Sequence, residues 1–319
     1  MYRSKKISLV IPAYREEKLI RPTLENVPSH IDVIYVVDDA SPDNKLEQSV
    51  RDCATKDSRV RYIRHQTNQG PGGGIITGYQ QSVKDGVDVA VVIGGDNQML
   101  LSEVERFLDP VIDGKADYVK GNRFLDLKLE DTLSKMPTVR LVGNWIITGL
   151  TKIASGQYKV MDVVDGYTAI SRQAMESVDW SKAWKKYGYP MDFLIRLSTF
   201  GFKILDVPRT AIYLQGERQS QIKGIKYAMS VSPMLIRGFF WRLKYKYLYR
   251  DFHPLVLFYY LSFLLITIGF ITGGYMIFDK LIYEGAAVTG ARAMLVALFL
   301  LTGLQLLLFA MLFDMQENK

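Results

Sequence analysis

Asp96 and Gln98 are the residues of this 319-residue chain best placed to do chemistry. They belong to the run VVIGGDNQM (91–99), a short apolar strand that stops at Gly94-Gly95-Asp96. A strand ending there sets a carboxylate at the carboxyl edge of a sheet, where open α/β folds bind ligands. Two side-chain oxygens two positions apart suit a hard divalent cation that also holds phosphate oxygens. The glycines leave room for close approach. Pro12, Tyr14 and Glu16 follow a first strand and could grip a base or a ribose, although an ordinary polar loop reads the same way. Asp38 and Asp39 end a second strand in VVDDASPD, where adjacent acids suit a ribose or base, while Asp43 reads as a helix cap. The run NQGPGGG (68–74) lacks the Lys-Ser/Thr ending of a P-loop and the GxGxxG spacing. It is either a phosphate cradle or a structural turn.

The elements that must position these groups alternate along the chain. ISLVIPAY, IDVIYVVDD, RVRYIRH, DVAVVIGGD and ADYVKGNRF read as strands, with helices over 17–26, from Ser41, after the glycine-rich run and over 102–112. This alternation implies βαβ units and a mostly parallel sheet. A loop and a helix carrying Arg140 and Asn144 fill 126–155; MDVVDGYTAI, YPMDFLIRLSTFGF and KILDVPRTAIYL then read as strand, helix and strand.

The chain changes character near Ser232. Residues 233–253 mix aromatic and apolar side chains with Arg237, Arg242, Lys244, Lys246 and Arg250, the pattern of a basic amphipathic helix in a membrane interface. Their place just before two apolar spans, 254–278 and 293–313, argues against a helix packed on the preceding domain. Each span reaches the roughly 20 residues that crossing requires. The expected organisation is therefore a catalytic domain over 1–232, the interfacial region, and a membrane domain over 254–319. Basic residues ahead of the first span place the large domain, and with two spans both termini, in the cytoplasm. The net charge of +7 suits anionic lipid or a phosphorylated substrate; without a zinc-finger, RNP or recognition-helix pattern, nucleic acid is not expected. The single cysteine, Cys53, excludes an internal disulfide, and the first residues do not read as a signal peptide. Small residues in GFITGG and TGARAM permit close helix contact and a homo-oligomer. Of the histidines, His30 and His253 look remote from chemistry, and only His65, beside the glycine-rich run, is a candidate neighbour of substrate.

Taken in order, these pieces resemble the family 2 glycosyltransferases of the GT-A fold. VIPAYREE resembles the family's VIPxYNE, VVDDASPD its VVDDGSPD, NQGPGGGIITGY its NxGxGxAxxxG loop, and IGGDNQM its MDxDxQM metal motif. The likeness continues through KGNRF, the Arg140/Asn144 helix, DVVDGYTAISR and KILDVPRTAIYLQGERQS. With the C-terminal membrane pair, the nearest subgroup is the polyprenyl-phosphate glycosyltransferases, similar to dolichol-phosphate mannose synthase. The resemblance implies a Rossmann-like, mostly parallel sheet and an inverting transfer. The donor would be a UDP- or GDP-sugar, and the acceptor a polyprenyl phosphate, undecaprenyl or dolichyl, at a cell or endoplasmic reticulum-type membrane.

By that resemblance Pro12, Tyr14, Glu16, Asp38, Asp39, Asn68, Gly70, Gly73 and Asp96 line the nucleotide site, and Asp96 and Gln98 bind Mg²⁺ or Mn²⁺. Arg123, Arg140, Arg218 and Ser220 surround the acceptor phosphate, with Asp96, Arg123 and Arg218 as the catalytic set. Asn144, Asp165 and Asp192 would orient the sugar, without an essential base among them, because a phosphate acceptor is already anionic. Gly94 stands where the family has the first metal-motif Asp, and Thr168 where it often has Arg. The rival readings are a transferase or polysaccharide synthase with a glycan acceptor, against which the absent QxxRW motif counts, and a silent membrane scaffold.

Overall fold

In the computed structural model the described residues are 1–125, 138–210, 212, 224–282 and 289–318, less the side chains of 138–141 and 224–226. Arg218, Ser220 and the side chain of Arg140 lie outside them. The chain enters through β1 (Ile7–Ala13) and continues through β2 (Val33–Asp38), β3 (Val60–Arg64) and β4 (Val89–Val92), with a helix between each pair. β2 and β4 are buried at every position, and their Val- and Ile-rich sequences suit strands covered on both faces. β5 (Tyr118–Asn122), β6 (Thr168–Ser171) and β7 (Ile204–Pro208) complete a seven-stranded sheet of order β3-β2-β1-β4-β6-β5-β7. β6 runs antiparallel to β4 and β5; the other pairings are parallel. The mostly parallel sheet expected from the sequence is therefore present. β1 lies between β2 and β4, so the strand order reverses there and opens a switch-point crevice at the carboxyl ends.

Two elements differ from the sequence reading. The first helix is only Ile20–Glu25, and MDVVDGYTAI becomes strand only at Thr168, which leaves Asp162 and Asp165 in the preceding loop. A further short helix, Arg172–Ser177, follows β6, its Ser171 Oγ accepting the Ala174 amide at the N-terminus.

The helix Pro71–Lys84 lies close against β1 because glycines stand where it meets the strand, and Ser82 Oγ reaches Ser8 Oγ of β1 at 2.8 Å. A Cβ at Gly78 would stand 2.2 Å from Val10 Cγ1, and one at Gly74 2.9 Å from Pro12 Cβ. These glycines permit contact between helix and strand.

The described chain divides into two compact units, Met1–Phe239 and Phe240–Lys319. The basic amphipathic helix spans Gly224–Lys244, beginning before 233, and continues as a π-helical turn, Tyr245–Arg250. Within the first unit one face of this helix packs on the catalytic domain after all. Val231, Met234, Leu235 and Phe239 are buried, and Gly188 and Gly238 would meet Val231 and Ile195 if given a Cβ. Met229 and Ile236 stay exposed. Its position before the spans did not reveal this buried face.

In the second unit the helices Leu255–Ile282 and Gly290–Glu317 are long and apolar enough to cross a membrane, and most of their surface is exposed. Apolar surface of that extent is untenable in water and is what lipid requires. The pair packs through small residues: a Cβ at Gly269 would lie 2.6 Å from Leu300, and Ser262 Oγ donates to the Gly303 carbonyl at 2.8 Å. Gly269, in the GFITGG stretch that permits close helix contact, makes such a contact within the chain. Arg242 and Asp314 form a fully buried, two-pronged ion pair (2.8 and 2.6 Å), with the Tyr247 hydroxyl donating to Asp314 at 2.7 Å.

Candidate active site

The loops leaving β1, β2 and β4 each hold one non-glycine residue in the left-handed region: Arg15 (φ 59°), Ala40 (φ 61°) and Asn97 (φ 53°). Such backbone costs of order 1–3 kcal/mol per residue and collects at ligand sites. Each strained residue adjoins an expected site residue: Tyr14 and Glu16, Asp39, and Asp96. A Cβ on Gly95 would lie 3.6 Å from both Ala13 Cβ and Glu16 Cβ, so the β4 loop runs against the exit of β1. Tyr14 is exposed, with the Arg15 guanidinium 5.3 Å from its ring centre, and Pro12 is half-buried under Gly74. The Glu16 carbonyl accepts the amides of Leu19 and Ile20 and so starts the first helix.

The paired acids of β2 have different roles. Asp38 is fully buried and accepts the Ser41 amide at 2.9 Å and the Tyr62 hydroxyl at 2.6 Å, shaping the turn. Asp39 fastens the glycine-rich run: its carboxylate accepts the amides of Gln69 (2.8 Å) and Gly70 (2.7 Å), and its carbonyl accepts Asn68 Nδ2. His65 bridges Asp39 and Thr77 through its two ring nitrogens, each at 2.8 Å, and so stands behind the acid. The amides of Gln69, Gly70, Gly72, Gly73 and Gly74 all donate within the chain. The run is therefore a turn and not a phosphate cradle. Gly70 (φ 91°) needs the left-handed conformation, and a Cβ at Gly72 would strike the Trp184 carbonyl at 2.8 Å. Asp192 supports the same contact from the other side, accepting the Trp184 amide at 2.9 Å and Arg196 Nε at 2.6 Å.

Asp96 is half-buried beyond β4, with Oδ1 accepting the Gln98 amide at 3.2 Å. Burial pushes its carboxyl above the usual range, against its hydrogen bonds and the nearby Arg209 charge. A perturbed carboxyl at a switch point is a functional-site signature. A Cβ at Gly94 would lie 2.9 Å from Asp96 Oδ1, so this carboxylate occupies space that a larger residue there would contest. Among the described residues no three His, Cys, Asp or Glu side chains gather as a metal cage. The donor set fits a hard cation that takes one or two protein oxygens and completes its shell with diphosphate and water.

Beyond β5 lies a buried network of charges. Arg123 grips Asp162 through Nε (2.7 Å) and Nη2 (2.9 Å), and Asp165 is 3.5 Å away. Burial opposes ionisation of Asp162, but the Arg123 charge and hydrogen bonds outweigh it and hold the carboxyl below its usual range. Asp165 accepts the Tyr167 amide at 2.8 Å and Arg209 Nε at 2.7 Å, and its carbonyl accepts Lys120 Nζ. Lys120 is fully buried, and desolvation lowers its pKa. Asp206 accepts Asn122 Nδ2 and the Met161 amide, while its other oxygen is buried without a partner; burial raises its pKa to about 6. Asn144 is half-buried on the helix Thr138–Ser155.

Sequence reasoning placed Arg123, Asp165 and Asp192 in the site but missed their bracing by Asp162, Arg209 and Arg196. Lys120 was the available signal: a lysine inside an apolar strand must find buried partners.

The model of Glycosyl transferase family 2 matches residues 8–179. A UDP-N-acetylglucosamine–dolichyl-phosphate N-acetylglucosaminyltransferase of Methanococcus voltae is 30% identical over 66% of this chain and 87% of its own. An undecaprenyl-phosphate mannosyltransferase of Micrococcus luteus is 28% identical over 65% of this chain and 84% of its own. In fold, the chain resembles a glucosyl-3-phosphoglycerate synthase of Mycobacterium tuberculosis solved with Mn²⁺, UDP-glucose and phosphoglyceric acid. That likeness has a TM-score of 0.51 at 16% identity, covering 75% of this chain and 80% of the other. With the GT-A architecture and the acids of its switch point, the chain is a glycosyltransferase and belongs to Glycosyl transferase family 2.

Proposed function

We propose that the protein moves one sugar from a UDP- or GDP-sugar to the phosphate of a membrane-borne polyprenyl phosphate, inverting the anomeric carbon. The observation that carries this reading is Asp96, a half-buried carboxylate at the switch point of a chain that ends in two membrane-length helices. The relatives named for dolichyl- and undecaprenyl-phosphate transfer support the acceptor class.

Asp96, with the Gln98 side chain, would hold Mg²⁺ or Mn²⁺ against the donor diphosphate. The bound cation would supply charge compensation for the leaving nucleoside diphosphate. Pro12, Tyr14 and Glu16 at the β1 exit would line the nucleoside, while Asp38, Asp39, Asn68, Gly70 and Gly73 set the wall behind it. Arg123, shared with Asp162, would meet the acceptor phosphate together with Arg140, Arg218 and Ser220. An acceptor phosphate oxygen bonds to the anomeric carbon as the bond to the diphosphate oxygen breaks, and the electron pair leaves with the nucleoside diphosphate. No proton must be removed from the acceptor, so no base is needed. Asp165 and Asp192 already hold arginines and serve by position. Positioning and charge stabilisation carry the rate. The catalytic domain and both ends of the membrane pair face the cytoplasm in this reading.

The test is purified protein in detergent with Mg²⁺, a polyprenyl phosphate and a panel of UDP- and GDP-sugars, the lipid product identified by mass. One donor should yield a glycosylated lipid, and Asp96→Ala should slow it at least about a hundredfold. Sugar passed only to a glycan or to water would overturn the acceptor, and undiminished product from Asp96→Ala would overturn the metal site.

A further inference from the structure

We infer that Arg209 and Thr210, at the exit of β7, clasp the loop carrying Asp96 and Gln98, and that Arg209 is the positioning residue for the divalent-cation site. The inference rests on the reading that Asp96 and Gln98 hold that cation.

The loop needs an external hold. It leaves β4 at Val92, passes Asn97 in the left-handed conformation and reaches a 3₁₀ turn at Leu101–Glu103. Between these points Asp96 Oδ1 accepts the Gln98 amide and the Gly94 amide meets Met99 Sδ at 3.3 Å. Both are local bonds, and the Tyr167 hydroxyl adds one long-range bond, to the Leu100 carbonyl at 3.2 Å, beyond the two candidate cation ligands.

The hold comes from a strand distant in sequence. Arg209 is 6% exposed, and its Nη1 donates to the Gln98 carbonyl at 3.4 Å and to the Thr210 carbonyl at 3.2 Å. The remainder of its guanidinium is fixed by Asp165, through Nε at 2.7 Å and Nη2 at 2.5 Å, and its amide donates to the Asn122 carbonyl at 3.2 Å. Thr210 completes the clasp: its amide (3.0 Å) and hydroxyl (2.8 Å) both donate to the Glu103 carboxylate. The loop is thus gripped at Gln98 and at Glu103 by two consecutive residues. The planar fork of arginine lets one side chain hold Asp165 and Gln98 at once, which a lysine ammonium would not reproduce. Groups that orient a metal ligand typically matter about 10- to 100-fold in metal affinity.

Arg209→Lys keeps the charge and tests the fork, and Thr210→Val tests the second grip without touching the charge network. Mn²⁺ binding to the full-length protein in detergent is read by the electron paramagnetic resonance signal of free Mn²⁺, with UDP and, separately, GDP present. Half-saturating Mn²⁺ should rise about tenfold in Arg209→Lys and several-fold in Thr210→Val, and in Thr210→Val the acceptor KM and melting temperature should stay near wild type. In turnover, added Mn²⁺ should restore most of the lost kcat/KM for donor. Unchanged Mn²⁺ affinity in both variants overturns the clasp. If Arg209→Lys fails to fold, Thr210→Val alone decides by the same readout. Wild-type protein that binds no Mn²⁺ with either nucleotide overturns the metal reading and the clasp together, whereas unchanged variants beside a binding wild type sink only the clasp.

Discussion

Asp206 shows most clearly how burial and charge are balanced at this site. One carboxylate oxygen accepts two hydrogen bonds, the other is buried with none, and burial lifts the pKa to about 6. A carboxyl with a raised folded-state pKa binds its proton more tightly in the folded chain, so its contribution to stability is present at low pH and lost as pH rises through about 6. Asp206→Asn should remove that slope: between pH 5 and 7.5, wild-type melting temperature should fall relative to the variant. Parallel curves would show that Asp206 does not titrate there. Around it Arg123 holds Asp162 and Arg209 holds Asp165, whereas the contact described for the Asp96 carboxylate, at the crevice, is the Gln98 amide.

The elements show which parts of the site the sequence disclosed. Apolar runs ending in acids disclosed β1, β2 and β4, and hence the switch point, because strand periodicity and strand-end chemistry are local signals. The bracing was not legible. Arg209 meets Gln98, and Asp192 meets the segment beside Gly72, through pairings that depend on β7 and on the helix Tyr189–Thr199 folding back. The glycine-rich run stayed open between two readings for a related reason. Its composition fits a phosphate loop or a packing turn equally well, and only the spent amides and the close approach to β1 separate the two. Gly78→Ala tests the packing role: its methyl would intrude on Val10, costing about 1–3 kcal/mol. A chemical-denaturation midpoint should fall accordingly, and an unchanged midpoint would mean that helix and strand can separate freely.

At the scale of the whole molecule, a glycosyltransferase unit is joined to a unit of two helices long and apolar enough to cross a membrane. The sequence disclosed the two long apolar helices and concealed the buried face of the helix that precedes them, since a basic amphipathic pattern does not say which apolar surface it meets. The cytoplasmic arrangement predicts a simple labelling result in a Cys53→Ser background. Glu317→Cys should react with an impermeant maleimide from the cytoplasmic side of sealed vesicles, and Thr289→Cys from the opposite side. Reaction of both from one side would exclude two crossings.

The central claim is that sugar, and not sugar phosphate, reaches the lipid phosphate. Phosphorus NMR of the lipid product, made with whichever donor the protein accepts, tests this directly. The account predicts a single phosphodiester resonance, with the sugar's anomeric configuration inverted relative to the donor. A pair of coupled diphosphate resonances, or an unaltered phosphomonoester, would contradict it.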